Sequence, residues 1–171
     1  MSVRPGVRVG VDVGTVRVGV ALSDPSGLLA TPHATLARRW PDKDPTADDV
    51  GEIVALVAER AVVEVIVGLP RTLAGTEGPA AQAARTYAAE LARRVAPVGV
   101  HLVDERLTSV DAHRALRESG VPGRRQRAVV DQAAAVLILQ AALDEERSAG
   151  RPPGEPVMHK RRRPKTKDGP R

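Results

Sequence analysis

Two valine-rich runs joined by Gly14 and Thr15, VRVGVDV over residues 7–13 and VRVGVA over residues 16–21, constrain this chain more than any other stretch. Val7, Val9, Val11 and Val13 alternate with Arg8, Gly10 and Asp12, and Val16, Val18 and Val20 alternate with Arg17, Gly19 and Ala21. That two-residue period belongs to extended strands, so the pair reads as a β-hairpin with one apolar face. Asp12 is out of keeping with such a strand. It is a carboxylate with a glycine two residues to either side. It reads either as a position where a ligand approaches the sheet or as a polar residue on a solvated face.

Ser23 to Gly27 has the chemistry of a turn, and residues 28–36 read as a third strand that completes an antiparallel meander. A polar loop follows, then a helix from Asp48 or Asp49 to about Ala61 with Ile53, Val54 and Val57 on its stripe. At Val63 to Val67 the period changes to a short β-branched run, as expected of a parallel strand covered on both faces. It ends in Gly68-Leu69-Pro70 and a glycine-containing loop from Arg71 to Gly78. Pro79 opens a second helix to about Val95, and Val98 to Val103 forms a fifth strand running into Asp104 and Glu105. Thr108 to Asp111 resembles a capping box for a third helix ending near Ser119. The last helix is expected from Ala128 to about Arg147, apolar almost all round between Ala133 and Leu139 and therefore buried there. The predicted fold is α/β, a five-stranded mixed sheet with three antiparallel strands, then two parallel ones, and helices on both faces. Residues 1–147 are expected to form one domain and residues 148–171 a basic, disordered tail.

The absence of cysteine excludes disulfides, thiolate zinc sites and cysteine nucleophiles, and the four histidines are scattered. Any metal is therefore expected to be a hard ion held by oxygen. No apolar run reaches the length of a membrane span and no signal-peptide layout opens the chain, so a cytoplasmic protein is expected. The net charge of +5 is a property of the tail, because residues 151–171 carry eight Lys or Arg against two acids while the rest carries 18 against 19. With Trp40 and Tyr87 the only aromatics, recognition of nucleic acid would have to proceed through phosphates and shape.

Three carboxylates stand out by position: Asp12 in the first strand, Glu105 at the carboxyl end of the fifth, and Asp131 on the last helix. Ligands of open α/β sheets gather beyond the carboxyl ends of parallel strands. Three acids brought together there call for a cation, Mg2+ or Mn2+, and a pair of such ions about 4 Å apart would activate water and stabilise a leaving oxygen in phosphodiester cleavage. Each acid also has a plain reading: Asp104-Glu105-Arg106 as a surface turn with a local ion pair, Asp131 as a residue favouring a helix N-terminus.

VDVGTVRVGVALSD, VIVGLPRTLAGTEGP, VDERLTS and VVDQAAAVLILQ, in that order, resemble the four signature blocks of the YqgF/RuvX family, over nearly everything from Val7 to about Asp144. The resemblance implies a ribonuclease-H-like fold and a metal-dependent nuclease, described either as maturing the 5′ end of small-subunit ribosomal RNA or as a Holliday-junction resolvase. It also places the family's acidic positions on Asp12, Glu105 and Asp131. Many ribonuclease-H-like nucleases carry an acid at the end of the fourth strand, where this chain has Gly68-Leu69-Pro70, so Glu105 is expected to substitute. Asp104 competes for that role, but side chains alternate and only one of the two can face Asp12; Glu105 is the expected one.

Arg17, Arg71 and Arg106 are candidates for holding the scissile phosphate or its neighbours, and each reads equally as ordinary surface charge; Arg124, Arg125 and Arg127 are candidates for tracking a backbone strand. The Arg71 to Gly78 loop reads as a flap over substrate or as a plain connector. The expected partners are structured RNA or, alternatively, branched DNA, with pre-ribosomal particles as a further one, for a monomer or homodimer. A non-catalytic ribosome-assembly factor is the competing reading. An actin-like ATPase rests only on Asp12-Val13-Gly14-Thr15 and would need a second domain.

Overall fold

A computed structural model describes residues 3–41, 48–107 and 124–158. The helix expected over residues 108–119 lies outside the described residues. Strands β1 (Arg8–Val13), β2 (Arg17–Ser23) and β3 (Ala30–Ala37) form the meander, and helix α1 (Asp49–Glu59) leads to β4 (Glu64–Leu69). Helix α2 (Pro79–Val95), β5 (Gly99–Asp104), a 3-10 turn (Glu105–Leu107), α3 (Arg124–Ala149) and a short β6 (Glu155–Pro156) complete the order. The sheet runs β3-β2-β1-β4-β5-β6, with β1, β4 and β5 parallel and the outer pairings antiparallel.

The sixth strand corrects the expected five. It comes from the segment read as a disordered tail, whose Glu155 and Pro156 pair with Leu102 and His101, followed by a Val157 N–H bond to the Val100 carbonyl at 2.8 Å. Two residues carry no readable period, and the free edge of β5 is what recruits them.

Side-chain alternation sorts the core into two layers. Val9, Val11, Val18, Val20, Val65, Val67, Val100 and Leu102 face α1 and α2, while Ala21, Ile66 and Val103 face α3. The hairpin is therefore covered on both faces rather than one. The glycines explain why: a methyl group at residue 10 would stand 2.6 Å from Leu139 Cβ, and one at residue 19 would stand 2.1 Å from the Asp131 carbonyl oxygen. Bare backbone on β1 and β2 lets the helix backbone settle directly onto the sheet.

Helix α3 buries a single stripe, Asp131, Ala134, Ala135, Ile138, Leu139, Ala142, Leu143 and Glu146, not its whole circumference. Ala133, Val136 and Leu137 instead line a shallow groove of about 310 Å3 with Pro32 of β3. At the far end of the sheet, Arg4 donates from Nε to Glu146 Oε1 at 2.7 Å and from Nη2 to Glu64 Oε2 at 2.6 Å. Arg8, only 1% exposed, adds a contact from Nη2 to Glu146 at 3.5 Å. This network fastens the N-terminal arm, β4 and the last turns of α3 together. No helix among the described residues is long and apolar enough to cross a membrane.

Candidate active site

Asp12 lies near the end of β1, directly opposite Gly19 of β2, and its alternation with Gly10 turns it to the α3 side. Asp131 arrives from above, because its own backbone rests on Gly19. Glu105 follows β5, and its Oε1 leans over Gly68 of β4, 2.7 Å from where a methyl group at residue 68 would sit. The β1–β4 register runs to Val11 and Val67, which puts Gly68 level with Asp12 one step further on. The three acids thus line up on one face over β2, β1 and β4, each less than one-tenth exposed when the whole residue is counted. Gly68, at the end of the fourth strand, carries no acid, and the space over it is shared by Ile138 Cδ1, 2.6 Å from the position of such a methyl group, and the Glu105 carboxylate.

Asp104 goes the other way. It is paired with Leu69, a residue of the α1/α2 core, so it sits on the opposite face from Glu105. There it accepts hydrogen bonds from the Arg106 backbone N–H at 2.9 Å and from Arg106 Nη2 at 2.6 Å. Those bonds to Arg106, opposed by partial burial, hold the Asp104 carboxyl below its ordinary range.

The candidate phosphate-binding arginines divide. Arg106 is spent on Asp104, and Arg71 lies 3.7 Å from Asp104 and 3.6 Å from Glu77. The loop that holds Arg71 is closed on itself by Gly75 N–H to the Thr72 carbonyl and Thr76 N–H to Thr72 Oγ1. Arg17 alone of the three reaches a site carboxylate, its Nε donating to Asp131 Oδ2 at 2.7 Å. The backbone of Arg124 and Arg125 opens α3, but their side chains, like that of Arg127, lie outside the described residues.

Two further arrangements gave no local signal in the sequence. Gly19 and Gly68 serve as seats for the Asp131 backbone and the Glu105 carboxylate. Arg38, at the edge of the sheet, donates from Nη1 to the Gly14 carbonyl at 2.8 Å and lies over the Tyr87 ring at 5.9 Å, bracing the turn that follows Asp12.

Among the described residues no three His, Asp or Glu side chains are gathered closely enough to hold a metal ion between them. The donor chemistry nevertheless fits a hard divalent cation, because three buried carboxylates share one face and a guanidinium already stands against one of them.

The profile of a family described as RuvX, Holliday junction resolvase, matches residues 6–145. The chain belongs to the RuvX family. A Nocardioides protein named "Putative pre-16S rRNA nuclease" is 56% identical over 156 residues, 90% of this chain and 97% of its own length. Proteins with the same name from Streptomyces coelicolor and Mycolicibacterium smegmatis are 54% identical over 154 residues (90% of this chain, 89% of theirs) and 57% identical over 144 residues (84% of each). Among solved structures, the Thermus thermophilus RuvC complex with a Holliday junction substrate aligns at a TM-score of 0.53 and 16% identity, covering 89% of this chain and 99% of that one. A second Thermus thermophilus RuvC structure gives 0.50 at 16% identity, over 88% of this chain and 99% of that one. These likenesses establish the ribonuclease-H-like fold of this RuvX-family chain, a nuclease by its family and its relatives' names.

Proposed function

We propose that this RuvX-family chain is a divalent-cation-dependent nuclease that hydrolyses a phosphodiester bond in structured RNA, foremost at the 5′ side of precursor 16S ribosomal RNA. The observation that carries this is the row of Asp131, Asp12 and Glu105 on one buried face at the carboxyl ends of the parallel strands. The RNA substrate is taken from relatives more than half identical over nearly the whole chain.

Asp12, Glu105 and Asp131 are the residues that would hold the cation. Bound there, Mg2+ or Mn2+ supplies positive charge to the phosphoryl oxygens and makes water acidic enough to act as a nucleophile at neutral pH. The chain's own part is positioning. The helix seat on Gly10 and Gly19 fixes Asp131, the turn braced by Arg38 fixes the approach beside Asp12, and Arg17 offers a guanidinium to a backbone phosphate. A cytoplasmic setting and contact with pre-ribosomal particles follow from that substrate.

The family's description favours a second reading, resolution of four-way DNA junctions. Paired, symmetric cuts would require a two-fold dimer. The deciding experiment compares a labelled precursor 16S RNA 5′ region with a labelled four-way junction, in Mn2+, Mg2+ or chelator, for wild type and Asp12→Asn. RNA cleavage that falls about 100-fold or more in the variant and vanishes with chelator is the expected result. Symmetric junction cuts by a sedimenting dimer establish the resolvase. Binding without cation-dependent cleavage of either substrate refutes the enzyme and leaves a ribosome-assembly factor.

A further inference from the structure

We infer that Arg17 serves Asp131 and the nucleic acid in turn: its Nε pairs with Asp131 in the cation-free chain, and nucleic-acid binding draws the guanidinium onto a backbone phosphate and takes its positive charge away from a carboxylate that would hold the cation. The inference rests on the nuclease reading and adds to it a linkage between substrate and cation at one side chain. Three features of Arg17 carry it.

The contact with Asp131 is made at one point, Nε to Oδ2 at 2.7 Å, and among the described residues the two Nη groups bond to nothing else. Those Nη groups form the fork that takes two oxygens of a phosphate, and the side chain is 30% exposed against 13% for Asp131. The guanidinium therefore spans from the buried acid to the surface a phosphate would approach. Its root does not move with it, because the Gly14 N–H bonds the Arg17 carbonyl at 2.9 Å and β2 begins at that residue. By contrast Arg106 makes several bonds to Asp104, Arg71 lies between two carboxylates, and Arg38 is committed to the Gly14 carbonyl. Of these four arginines, Arg17 is the one that bonds to one of the three site acids, and its exchange of partners breaks a single hydrogen bond. A guanidinium and a dication on the same carboxylate repel, so the one that is present lowers the affinity for the other.

Two binding measurements on the full-length protein test this without reference to turnover. The first is Mn2+ affinity of the protein alone, by calorimetry or Mn2+ spin resonance, for wild type, Arg17→Met, Arg17→Lys and Asp12→Asn. The second is affinity for a labelled precursor RNA fragment in chelator, as a function of salt. A unit charge about 5 Å from a dication in a water-like dielectric is worth about tenfold in affinity, so Arg17→Met should bind Mn2+ about tenfold more tightly than wild type. Its RNA affinity should fall, with a salt slope shallower by about 0.7 to 0.9 for the lost phosphate contact. Arg17→Lys keeps the charge and loses the fork, so its Mn2+ affinity should stay at the wild-type value while its RNA affinity falls several-fold.

Unchanged or weaker Mn2+ binding in Arg17→Met overturns the inference and makes Arg17 a fixed prop for Asp131. Unchanged RNA affinity in both Arg17 variants overturns it equally. If wild type binds no Mn2+ that Asp12→Asn removes, the nuclease reading itself falls, and the inference with it.

Discussion

Gly19→Ala puts the joint between sheet and helix to its hardest test. The added methyl would lie 2.1 Å from the Asp131 carbonyl oxygen and 2.6 Å from its carbonyl carbon. A comfortable contact is well over an ångström longer, and the obstacle is helix backbone, which cannot swing aside as a side chain can. The helix must rise off β2. Overpacking of this kind costs about 1–3 kcal/mol, and with backbone on both sides the upper figure applies. For a chain of this length about 3 kcal/mol lowers Tm by about 6–12 °C. Thermal unfolding followed by far-ultraviolet circular dichroism measures it, with Trp40 fluorescence reporting on the opposite face of the sheet. Gly78→Ala is the control, since nothing lies within 4 Å of a methyl group there and its φ of −104° suits any residue. Because Asp131 rides on the displaced turn, cleavage should fall at a temperature where the variant is still fully folded. Wild-type Tm and wild-type cleavage in Gly19→Ala would refute the close seating of the helix on the hairpin.

The charge network at the other end of the sheet gives a pH prediction. Burial pushes the Glu146 carboxyl up, but hydrogen bonds from Arg4 and the charges of Arg4 and Arg8 together hold it below its ordinary value. Its contribution is therefore complete above the usual carboxylate range and is lost as pH falls through the depressed folded value. Glu146→Gln should be less stable than wild type by about 3 kcal/mol near neutrality, with Arg8 left buried beside a neutral amide, and should lose less stability on acidification; parallel curves with pH would refute it. Tyr87→Phe removes the hydroxyl that donates to Asp49 Oδ2 at 2.8 Å, inside the α1/α2 core. The expected loss is about 1.5–3 kcal/mol in urea unfolding, and the edge-on Trp40, 5.8 Å away, provides the fluorescence signal.

The order of strands and helices was legible because each change of element is a change of hydrophobic period, from the alternating hairpin to the continuous run at Val63–Val67. The acids were legible because carboxylates in valine-rich or strand-terminal settings need a reason to be there. The register with Leu69 puts Asp104 and Glu105 on opposite faces, as alternation along a strand requires. What could not be read was contact between distant segments. The glycines two residues to either side of Asp12 suggested room for a ligand, yet Gly10, like Gly19 across the hairpin, is covered by a helix more than one hundred residues away in the chain, and Gly14 lies against the Arg17 backbone. The same limit hid Asp104 as a partner of Arg71, and the recruitment of Glu155 and Pro156 to the sheet edge, whereas the local ion pair of Asp104 and Arg106 was among the readings the sequence allowed.

Helix α3 is fastened at both ends by charge and in the middle by shape. Asp131, near its start, meets Arg17; Glu146, near its end, meets Arg4 and Arg8; between them Ala135 and Leu139 press onto bare Gly10. The two acids are separated by about 22 Å of helix at 1.5 Å per residue, so the element spans the sheet from the N-terminal arm to the carboxyl ends of the parallel strands. Asp12 and Glu105 are set by the sheet itself, the first within β1 and the second in the turn directly after β5. Asp131 is set by docking, and docking depends on Gly10 and Gly19 having no side chain. The third acid therefore stands opposite the first only when the helix is fully seated, which couples completion of the site to completion of the fold.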